Sequence, residues 1–489
     1  MNKIPSPLHS LKDHYDVVVI GGGVVGAGIF RDLSLHGLRC LLVDKKDFTS
    51  QTSQSSSKML HGGIRYLEKL DFSLVWEALH EKNLWLELAP HLCYESSFHF
   101  PIYKGFNKPL WMIKIGLSLY DFLSSYKNTP HKILSKKEVL KAIPTLNNND
   151  LSGAGLYYDA IVDDAKLTLE VIYDSLKGSS GSQAFSHIEL ENLETKNKEN
   201  KLLLRDALNS ELTKTISADE VIFSVGPFTD HLLSKFKDLS WNPILSPSKG
   251  SHIWLKPDSL DIKSPLLLRT KDNRVFFVIP WPNAILVGTT ETKVEGDFFD
   301  LSPTPYEIHY LIDNIQKYFP KISLSEKDII SSFSGVRPLI KDVNNTDLGE
   351  VKREHKIYQP KHNIHVIAGG KYTTFRTMGQ EISRKIVLKK GLSYNSNLTN
   401  KKLRQKSCIL PFQEEEITED TIFNIIKNES VRTFDDLLKR RIGCPSPKHW
   451  NKNTSLVDLF KPIYPNLKNL LYFSSENKKL LKVEDDLNP

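Results

Sequence analysis

Three glycines near the start of the chain have the spacing of a phosphate-binding turn. Gly21, Gly23 and Gly26 directly follow the apolar run 15–20 and precede a stretch with helical spacing. The first glycine permits a tight turn, the second lets a pyrophosphate approach the backbone, and the third lets a helix pack closely on the strand. The helix N-terminus then presents N–H groups to the phosphates. The pattern is typical of a turn that binds the pyrophosphate of a dinucleotide.

Asp44 supplies the acidic residue that completes such a unit. It ends a second apolar run, 38–43, and its carboxylate can accept a hydrogen bond from a ribose hydroxyl. Strand, glycine turn, helix, second strand and acid together form a complete βαβ unit. The sequence therefore predicts a dinucleotide-binding unit, and the acid disfavours the 2′-phosphate of NADP.

A hydroxyl-rich stretch, 49–57, follows the second strand and leads to Lys58 and the turn His61-Gly62-Gly63. Its composition is compatible with a flexible linker. It is also compatible with a loop whose backbone approaches an extended cofactor. From the residues alone, both interpretations stay open.

Ordered strings along most of the chain resemble the FAD-dependent glycerol-3-phosphate dehydrogenases, an aerobic, quinone-linked family within the D-amino-acid-oxidase-like FAD oxidoreductases. The resemblance is densest over 47–68, with Ser55-Ser-Ser-Lys58 and His61-Gly-Gly-Ile-Arg-Tyr-Leu-Glu68. Further strings follow in the family's order at 74–79, 89–91, 159–165, 249–252, 278–281, 288–291, 334–339 and 369–376. One departure is Phe223-Ser-Val-Gly-Pro227, which keeps the apolar strand and the turn but loses the family's Asn-Ala polar detail.

The resemblance implies FAD as the cofactor and sn-glycerol 3-phosphate as the substrate. The alcohol would be oxidised to dihydroxyacetone phosphate by hydride transfer from C2 to the flavin. The cofactor-binding residues that the resemblance implies are Gly21, Gly23, Gly26, Asp44, Thr52, Ser53, Ser56, Ser57, Lys58, His61, Gly62, Gly63, Gly226, Gly370, Lys371 and Thr373.

A substrate phosphate requires cations, and the resemblance assigns this role to Arg337 and Arg65. Arg337 stands among small and apolar residues, and its planar guanidinium suits bidentate phosphate contact. A structural ion pair is the alternative for Arg337. Arg65, with Tyr66, follows the glycine turn at 62–63 and would add a second phosphate contact, although such an arginine is often a surface residue.

Two further residues have types suited to catalysis. Lys371 precedes the predicted helix 373–386, so the ammonium and the helix N-terminus would stabilise negative charge on the reduced flavin. Thr373 and Thr374 could also be simple helix caps. His252, on a predicted strand, is a residue type that accepts a proton near neutral pH, here that of the C2 hydroxyl. The alternative is a histidine that only forms hydrogen bonds in the core. The resemblance implies catalytic roles for His252, Arg337 and Lys371, and substrate contacts for these three, Arg65 and Tyr66.

The expected fold class is α/β plus β. A discontinuous Rossmann-like FAD-binding domain (10–90, 155–245 and 335–395) is braided with an antiparallel-sheet substrate domain (91–154 and 246–334). A short helical C-terminal domain (396–489) follows, and the string 433–441 resembles the start of the family's C-terminal helical domain.

The stretch 109–123 is apolar around most of a helix, with Trp111, Lys114 and Tyr120 interleaved. One interpretation is a core helix of the substrate domain. The other is a segment that lies in a membrane interface, where Trp, Tyr and Lys fit the headgroup boundary. We see no signal peptide and no run of about 18–20 apolar residues, so a membrane-spanning segment is not expected.

Composition limits the remaining function classes. The net charge of +7 comes from scattered lysines, which argues against a nucleic-acid-binding protein. Cys40, Cys93, Cys408 and Cys444 lack metal-ligand spacing, so we expect reduced structural thiols in a cytosol-facing protein and no metal site.

The sequence therefore predicts a glycerol-3-phosphate dehydrogenase of glycerol metabolism, attached peripherally to the cytoplasmic membrane, that passes electrons to a membrane quinone. A glycerol-3-phosphate oxidase that uses oxygen, and a non-catalytic FAD-binding module, remain alternatives. An enzyme for an unphosphorylated substrate such as an amino acid would not need Arg65 and Arg337. The sequence leaves a homodimer open.

Overall fold

The computed structural model describes residues 5–481, except 106–107, 180, 197–198, 295, 297, 342–353, 405–406, 410, 413–416 and 444–455. Cys444 and the residues after 481 therefore lie outside the described residues. The strands are β1 (His14–Ile20), β2 (Cys40–Val43), β3 (Met59–Leu60), β4 (Cys93–Tyr103), β5 (Lys132–Ser135), β6 (Leu151–Val162), β7 (Gln183–Phe185), β8 (Ile188–Lys196), β9 (Glu199–Asp206), β10 (Asn209–Phe223), β11 (Ser248–Leu255), β12 (Leu266–Arg269), β13 (Val275–Trp281), β14 (Ala284–Gly288), β15 (Thr292–Lys293), β16 (Ile329–Arg337), β17 (His355–Lys361) and β18 (Ile364–Gly369).

The helices are α1 (Val24–Leu35), α2 (Phe72–Leu88), α3 (Leu110–Leu123), α4 (Lys136–Ala142), α5 (Asp164–Gly178), α6 (Thr229–Leu233), α7 (Pro305–Tyr318), α8 (Phe375–Lys389), α9 (Glu419–Asn428), α10 (Phe434–Asp436), α11 (Leu456–Leu467) and α12 (Ser475–Leu481). A π-helical turn, Leu437–Ile442, continues α10 directly. The chain divides into two compact units, the first formed by Met1–Gln54, Asp164–Ser248 and Val336–Pro489, the second by Ser55–Asp163 and Lys249–Gly335.

The first unit contains an eight-stranded sheet. Its main path is β17-β18-β10-β1-β2-β7, and β9 and β8 extend it from β10 as an antiparallel hairpin. The central strands β1, β2, β10 and β18 are parallel, and their paired ends, such as 17–20 and 221–223, are apolar and buried, as expected for strands covered on both faces. Ile20 lies opposite both Val43 and Phe223, so the carboxyl ends of β1, β2 and β10 meet at one edge. The glycine turn leaves the sheet at this edge.

The second unit contains a ten-stranded sheet in the order β15-β11-β14-β13-β12-β4-β6-β3, with β16 paired to β11 and β5 to β6. Most of its neighbouring strands are antiparallel, and β4 pairs with β6 along nearly its whole length. α7 packs Leu311 and Ile315 into a core shared with the buried residues of β11 and β13. The predicted fold class is therefore confirmed. A Rossmann-like unit and an antiparallel-sheet unit alternate along the chain.

The C-terminal segment belongs to the first unit and has an apolar core of its own. Phe434, Phe460 and Leu467 are almost fully buried there, and the rings of Phe434 and Phe460 lie 4.9 Å apart. Before this core, Arg404 ties the chain to α5 through Asp174, with Nε 2.9 Å from Oδ1. The described residues of the segment are therefore packed around a core.

None of the helices in the described part of the chain is long and apolar enough to cross a bilayer. α3 is two-faced: Ile113, Leu117 and Tyr120 are buried, whereas Trp111 and Ile115 are 62% and 59% exposed. Of the two interpretations of this stretch, the core interpretation applies to Tyr120, because its hydroxyl donates to the buried Asp159.

Candidate active site

The glycine turn between β1 and α1 has the shape that the spacing predicts. Gly21 has a φ of +106°, and a Cβ on Gly26 would lie 1.9 Å from the carbonyl oxygen of Gly21. A Cβ on Gly23 would meet only Ser53 Oγ, at 3.0 Å. The turn is therefore closed on the sheet side and open beside its second glycine, which is where a pyrophosphate approaches.

Asp44 is fixed at the end of β2 by two backbone N–H groups. Gly22 donates to Oδ2 at 2.7 Å and Lys46 donates to Oδ1 at 2.8 Å. Burial raises the pKa of Asp44 to about 6, although both N–H donors favour the ionised form. The carboxylate is thus oriented beside the glycine turn, in the position that a ribose-binding acid requires.

Thr52 and Ser53 both hold the turn from the following loop. Ser53 Oγ accepts a hydrogen bond from the N–H of Val24, at 2.9 Å, so it caps α1, whose own N-cap residue has no side chain. Thr52 Oγ1 donates to the carbonyl of Val336 at 2.7 Å. The loop is therefore ordered by the protein's own contacts, which favours a cofactor loop over a flexible linker.

Ser224 is a residue of the turn that the sequence did not single out. Its hydroxyl lies 3.1 Å from the carbonyl oxygen of Ile20 and 3.0 Å from that of Gly21, so it ties the end of β10 to the glycine turn. The string Phe223-Ser-Val-Gly-Pro227 contains the signal that could have identified this residue: Ser224 is its one polar side chain, where the family has Asn-Ala. Gly226 follows with a φ of +54°.

In the first unit, Arg337 precedes β17 and β18 along the chain, and Lys371 follows them. Arg337 is half-buried at the end of β16, directly after the buried Val336. Lys371 is half-buried between Gly370 and Thr373, which is 2% exposed. α8 begins at Phe375, two residues later than predicted, and Thr374 makes no side-chain cap. The N-terminus of α8 is thus preceded by a lysine and not closed by Thr374.

The second unit orders the stretch from Ser56 to Gly63. Ser56 Oγ accepts from the N–H of Lys58 at 3.0 Å, and the carbonyl of Lys58 accepts from Val162 at 3.0 Å. The ammonium of Lys58 lies 5.9 Å from the centre of the Phe333 ring. The predicted cofactor residues of this stretch are therefore fixed by neighbours within the unit.

A buried carboxylate supports the turn His61-Gly62-Gly63. Asp159 Oδ1 accepts from the N–H of Gly62 at 3.1 Å and from the hydroxyl of Tyr120 at 2.7 Å. Burial raises the pKa of Asp159 to about 6, although the charge of the buried Lys82 and these donors act in the opposite direction. The sequence string that begins at Asp159 carries the family resemblance but indicates no role for this residue; its contacts show that it holds the turn.

Arg65 and Tyr66 follow this turn on a 3-10 helix, Ile64–Lys69. The guanidinium carbon of Arg65 lies 5.0 Å from the centre of the Tyr66 ring, and its Nη2 donates to the Tyr66 hydroxyl at 3.1 Å. Tyr66 is 7% exposed, whereas Arg65 is half-buried. The tyrosine therefore orients the arginine.

His252 is enclosed on β11. Its ring stacks on Phe333, with centroids 4.9 Å apart, and Nε2 lies 2.9 Å from the hydroxyl of Ser57. Its neighbour in the antiparallel register is Gly288, where a Cβ would lie 2.0 Å from His252 Cδ2. His252 is only 2% exposed. The structure therefore brings two predicted site residues, Ser57 and His252, into contact.

The predicted residues fall into two sets, each ordered within its own unit. The first contains the glycine turn, Asp44, Thr52, Ser53, Gly226, Arg337, Gly370, Lys371 and Thr373. The second contains Ser56, Ser57, Lys58, His61, Gly62, Gly63, Arg65, Tyr66 and His252. The roles assigned to individual residues stay predictions. The first set fits a dinucleotide, because a helix that begins directly after the glycine turn, open space beside Gly23 and a fixed acid occur together.

Comparison with known proteins identifies the family. Residues 16–382 match the family described as FAD dependent oxidoreductase. A probable mitochondrial glycerol-3-phosphate dehydrogenase of Caenorhabditis elegans is 34% identical over 415 residues, covering 80% of this chain and 56% of that protein. A glycerol-3-phosphate dehydrogenase of Synechocystis is 33% identical over 391 residues, covering 76% of this chain and 70% of that protein.

A solved structure agrees in fold. The glycerol-3-phosphate dehydrogenase of Bacillus halodurans, complexed with FAD, superposes with a TM-score of 0.69 at 21% identity, over 97% of this chain and 92% of that one. The chain spans less than two thirds of the length of several curated relatives, and the nematode protein is one of them. The chain belongs to the FAD dependent oxidoreductase family and, within it, to the glycerol-3-phosphate dehydrogenases.

Proposed function

We propose that the chain oxidises sn-glycerol 3-phosphate to dihydroxyacetone phosphate with FAD and passes the electrons to a membrane quinone. The observation that carries the proposal is Arg337, a half-buried cation at the end of β16, next to the buried Val336, in the unit that holds the dinucleotide turn. An oxidoreductase for an unphosphorylated alcohol or amine has no need of a cation there. The names of the curated relatives support the same substrate.

FAD, when bound, supplies a two-electron oxidant that accepts a hydride from an alcohol carbon. The pyrophosphate would be held by the turn at Gly21, Gly23 and Gly26 and by the N-terminus of α1. Asp44 would accept hydrogen bonds from the adenosine ribose. The hydroxyls and backbone of 52–58 and the turn at 61–63 would hold the remaining length of the cofactor.

Arg337 and Arg65 would bind the phosphate dianion of the substrate. A guanidinium makes two parallel charge-assisted hydrogen bonds to a phosphate, which fixes orientation as well as supplying affinity. Tyr66 holds Arg65 through a hydrogen bond of 3.1 Å, so this arginine loses less side-chain entropy on binding.

His252 would take the proton of the C2 hydroxyl, in concert with Ser57. The imidazole is held by Phe333 and by the Ser57 hydroxyl, 2.9 Å from Nε2. Because the ring is 2% exposed, the Ser57 hydroxyl is the polar atom that would connect it to a substrate. Lys371 and the N-terminus of α8 would place positive charge near the flavin, which favours the charge that develops there.

The exposed apolar side chains of the second unit support a membrane quinone as the electron acceptor. Leu70, Phe72, Trp76, Trp111, Met112, Ile115 and Phe122 are between 38% and 71% exposed, on the 3-10 helix Ile64–Lys69 and its C-cap, α2 and α3. Large apolar side chains exposed on neighbouring helices are typical of an interaction site. Aromatic and aliphatic side chains on an amphipathic helix suit a lipid interface, where a quinone is available.

The decisive experiment is anaerobic reduction of the purified holoprotein. The flavin absorbance near 450 nm should bleach on addition of sn-glycerol 3-phosphate and should not change with glycerol, the control that lacks the phosphate. A fully FAD-loaded protein that does not bleach would contradict the proposal and favour a non-catalytic module. Peroxide release measured against quinone reduction then separates an oxidase from a dehydrogenase, and abundant peroxide without quinone turnover would contradict the acceptor assigned here.

A further inference from the structure

A buried ion-pair network joins the C-terminal segment to the loop that follows Asp44. Both Arg440 Nε and Arg441 Nη1 donate to Asp47 Oδ2, and Arg441 Nη2 donates to Asp47 Oδ1 at 2.9 Å. Arg440 Nη2 also reaches Asp436 Oδ1 at 2.8 Å. Asp47, Asp436 and Arg441 are each about 1% exposed. Two carboxylates and two guanidinium groups therefore neutralise each other away from water.

The network is completed on its other side by the first turn of the segment and by β7–β8. Asp436 Oδ2 accepts from His187 Nε2 at 2.9 Å and from the N–H of Thr433, also at 2.9 Å. Burial alone would raise the pKa of Asp436, but the His187 contact and the charges of Arg440 and Arg441 hold it far below its usual range. Asp47, His187 and Asp436 have the spacing of cation ligands. The two guanidinium groups already neutralise those carboxylates, so the cluster is an ion-pair network and not a metal centre.

The two residues that follow Asp47 connect it to the glycine turn. The next residue, Phe48, packs on Gly22, where a Cβ would lie 2.3 Å from Phe48 Cδ1. The N–H of Thr49 then donates to the carbonyl of Gly22 at 2.9 Å. Gly22 is also the residue whose N–H holds Asp44. Three consecutive residues thus connect the C-terminal arginines to the backbone of the dinucleotide turn.

We propose that Arg440 and Arg441 are positioning residues for FAD, which act through Asp47 to hold the loop 45–54 against the glycine turn. The contact of these two arginines with Asp47 then sets the affinity for the cofactor. The inference rests on the proposed function only in taking FAD as the ligand of the βαβ unit, and it does not depend on the substrate. Neither arginine needs to touch FAD.

The chain offers matched controls for this proposal. Arg432 forms a second buried pair of the same segment, with Nη2 3.0 Å from Asp206 Oδ2 on β9, but that pair does not hold the loop. Arg432→Lys therefore loosens the docked segment without releasing Asp47. Lys439 pairs with Asp435 on the exposed side, at 3.3 Å, so Lys439→Ala removes a neighbouring charge without a buried contact. Lysine at 440 or 441 keeps the charge but loses the geometry of the guanidinium.

The experiment measures the dissociation constant of FAD for the full-length protein, from the fluorescence of FAD released on dilution of the holoprotein. Arg441→Lys and Arg440→Lys should each weaken FAD binding at least tenfold, while kcat at saturating FAD stays within about twofold. Arg432→Lys and Lys439→Ala should stay within twofold of the wild type. Equal weakening by Arg432→Lys and Arg441→Lys, at matched loss of thermal stability, overturns the proposal, as does an unchanged affinity in Arg441→Lys.

A measurement on the unaltered protein covers the case in which the arginine variants do not fold. In hydrogen exchange at low urea, the amide of Thr49 should open together with those of 437–442, with the same free energy and urea dependence. Independent opening of Thr49 at lower free energy overturns the proposal. Failure of sn-glycerol 3-phosphate to bleach the flavin would leave these affinity and exchange results intact, so the two proposals fail separately.

Discussion

Asp44 Oδ2 accepts a hydrogen bond of 2.7 Å from the backbone N–H of Gly22, within the turn that the glycines form. The turn therefore holds the acid, so that the predicted ribose-binding carboxylate and the predicted pyrophosphate-binding backbone are positioned together. This arrangement reduces the ordering cost that FAD binding must offset.

The first prediction concerns pH. Because burial raises the pKa of Asp44 from 3.8 to about 6, the carboxyl group is protonated in the FAD-free fold below that pH. Its neutral form is then favoured on folding, so this group's contribution to stability falls as pH rises from 3.8 through about 6. FAD binding has the opposite sign, because a ribose hydroxyl donates to the carboxylate. FAD affinity should fall about tenfold between pH 7.5 and pH 5, as one pH unit below the pKa implies.

Asp44→Asn provides the control, since an amide does not titrate. The variant should bind FAD more weakly at pH 7.5, with an affinity that is flat down to pH 5. A pH dependence that persists in Asp44→Asn would assign the titration to another group and contradict the prediction. Fluorescence titration of the apoprotein with FAD, at fixed ionic strength, measures the affinity of the wild type and of the variant at each pH.

The second prediction concerns the third glycine of the turn. Gly26→Ala would place a methyl group 1.9 Å from the carbonyl oxygen of Gly21 and 2.7 Å from Ser224 Oγ. The first is a backbone atom, so the turn must shift, at a cost of about 1–3 kcal/mol or more. We expect loss of FAD retention through gel filtration and a lowered Tm. Gly116→Ala on α3, where no atom lies within 4 Å of the added Cβ, should retain FAD and lose no stability.

The third prediction concerns the substrate phosphate. Arg337→Met should raise KM for sn-glycerol 3-phosphate by about 10–100-fold, because a charge-assisted contact contributes about 1.5–3 kcal/mol. FAD affinity and Tm should change little. Arg274→Met, which removes an exposed arginine paired with Asp272, is the matched control and should leave KM unchanged. If Arg337→Met left KM unaltered and lowered only Tm, the residue would be part of a structural ion pair.

The sequence predicted the fold and the dinucleotide unit well because these depend on local patterns. Gly21, Gly26 and Asp44 act through backbone geometry and strand order, and both follow from spacing along the chain. Ser224 and Asp159 were missed as turn-holding residues because their partners lie about 200 and 97 positions away. Such contacts follow from strand pairing across the sheet, which periodicity does not report. The sequence left the place of Tyr120 open for a related reason: a helix pattern shows which residues are apolar, but not which face packs inward.

The fourth prediction concerns the exposed face of α3. Replacing Trp111, Ile115 and Phe122 together with Ser should lower binding to vesicles of anionic and neutral phospholipid at least tenfold. Each of these side chains is about 60% exposed, so removal costs little stability but removes the apolar area that would enter the interface. Tyr306→Ser, at a 75% exposed aromatic residue on α7, should leave vesicle binding unchanged. Equal sedimentation of the triple variant and the wild type with vesicles would exclude α3 as the membrane-binding face.

The last prediction separates a chemical role for His252 from a packing role. Gly288→Ala would place a methyl group 2.0 Å from His252 Cδ2, so the ring must leave its stack on Phe333 and its contact with Ser57. If the imidazole accepts the substrate proton, flavin reduction by sn-glycerol 3-phosphate should slow at least tenfold in this variant and in Ser57→Ala. Phe333→Leu, which keeps an apolar neighbour and both polar groups, should lower Tm but keep the reduction rate within about threefold. Stopped-flow absorbance gives the rate separately from binding, and normal rates in both Gly288→Ala and Ser57→Ala would reduce His252 to a core residue.

Loss of the acid limb of the pH–rate profile in His252→Gln, with Tm unchanged, would identify the imidazole as the group that takes the proton.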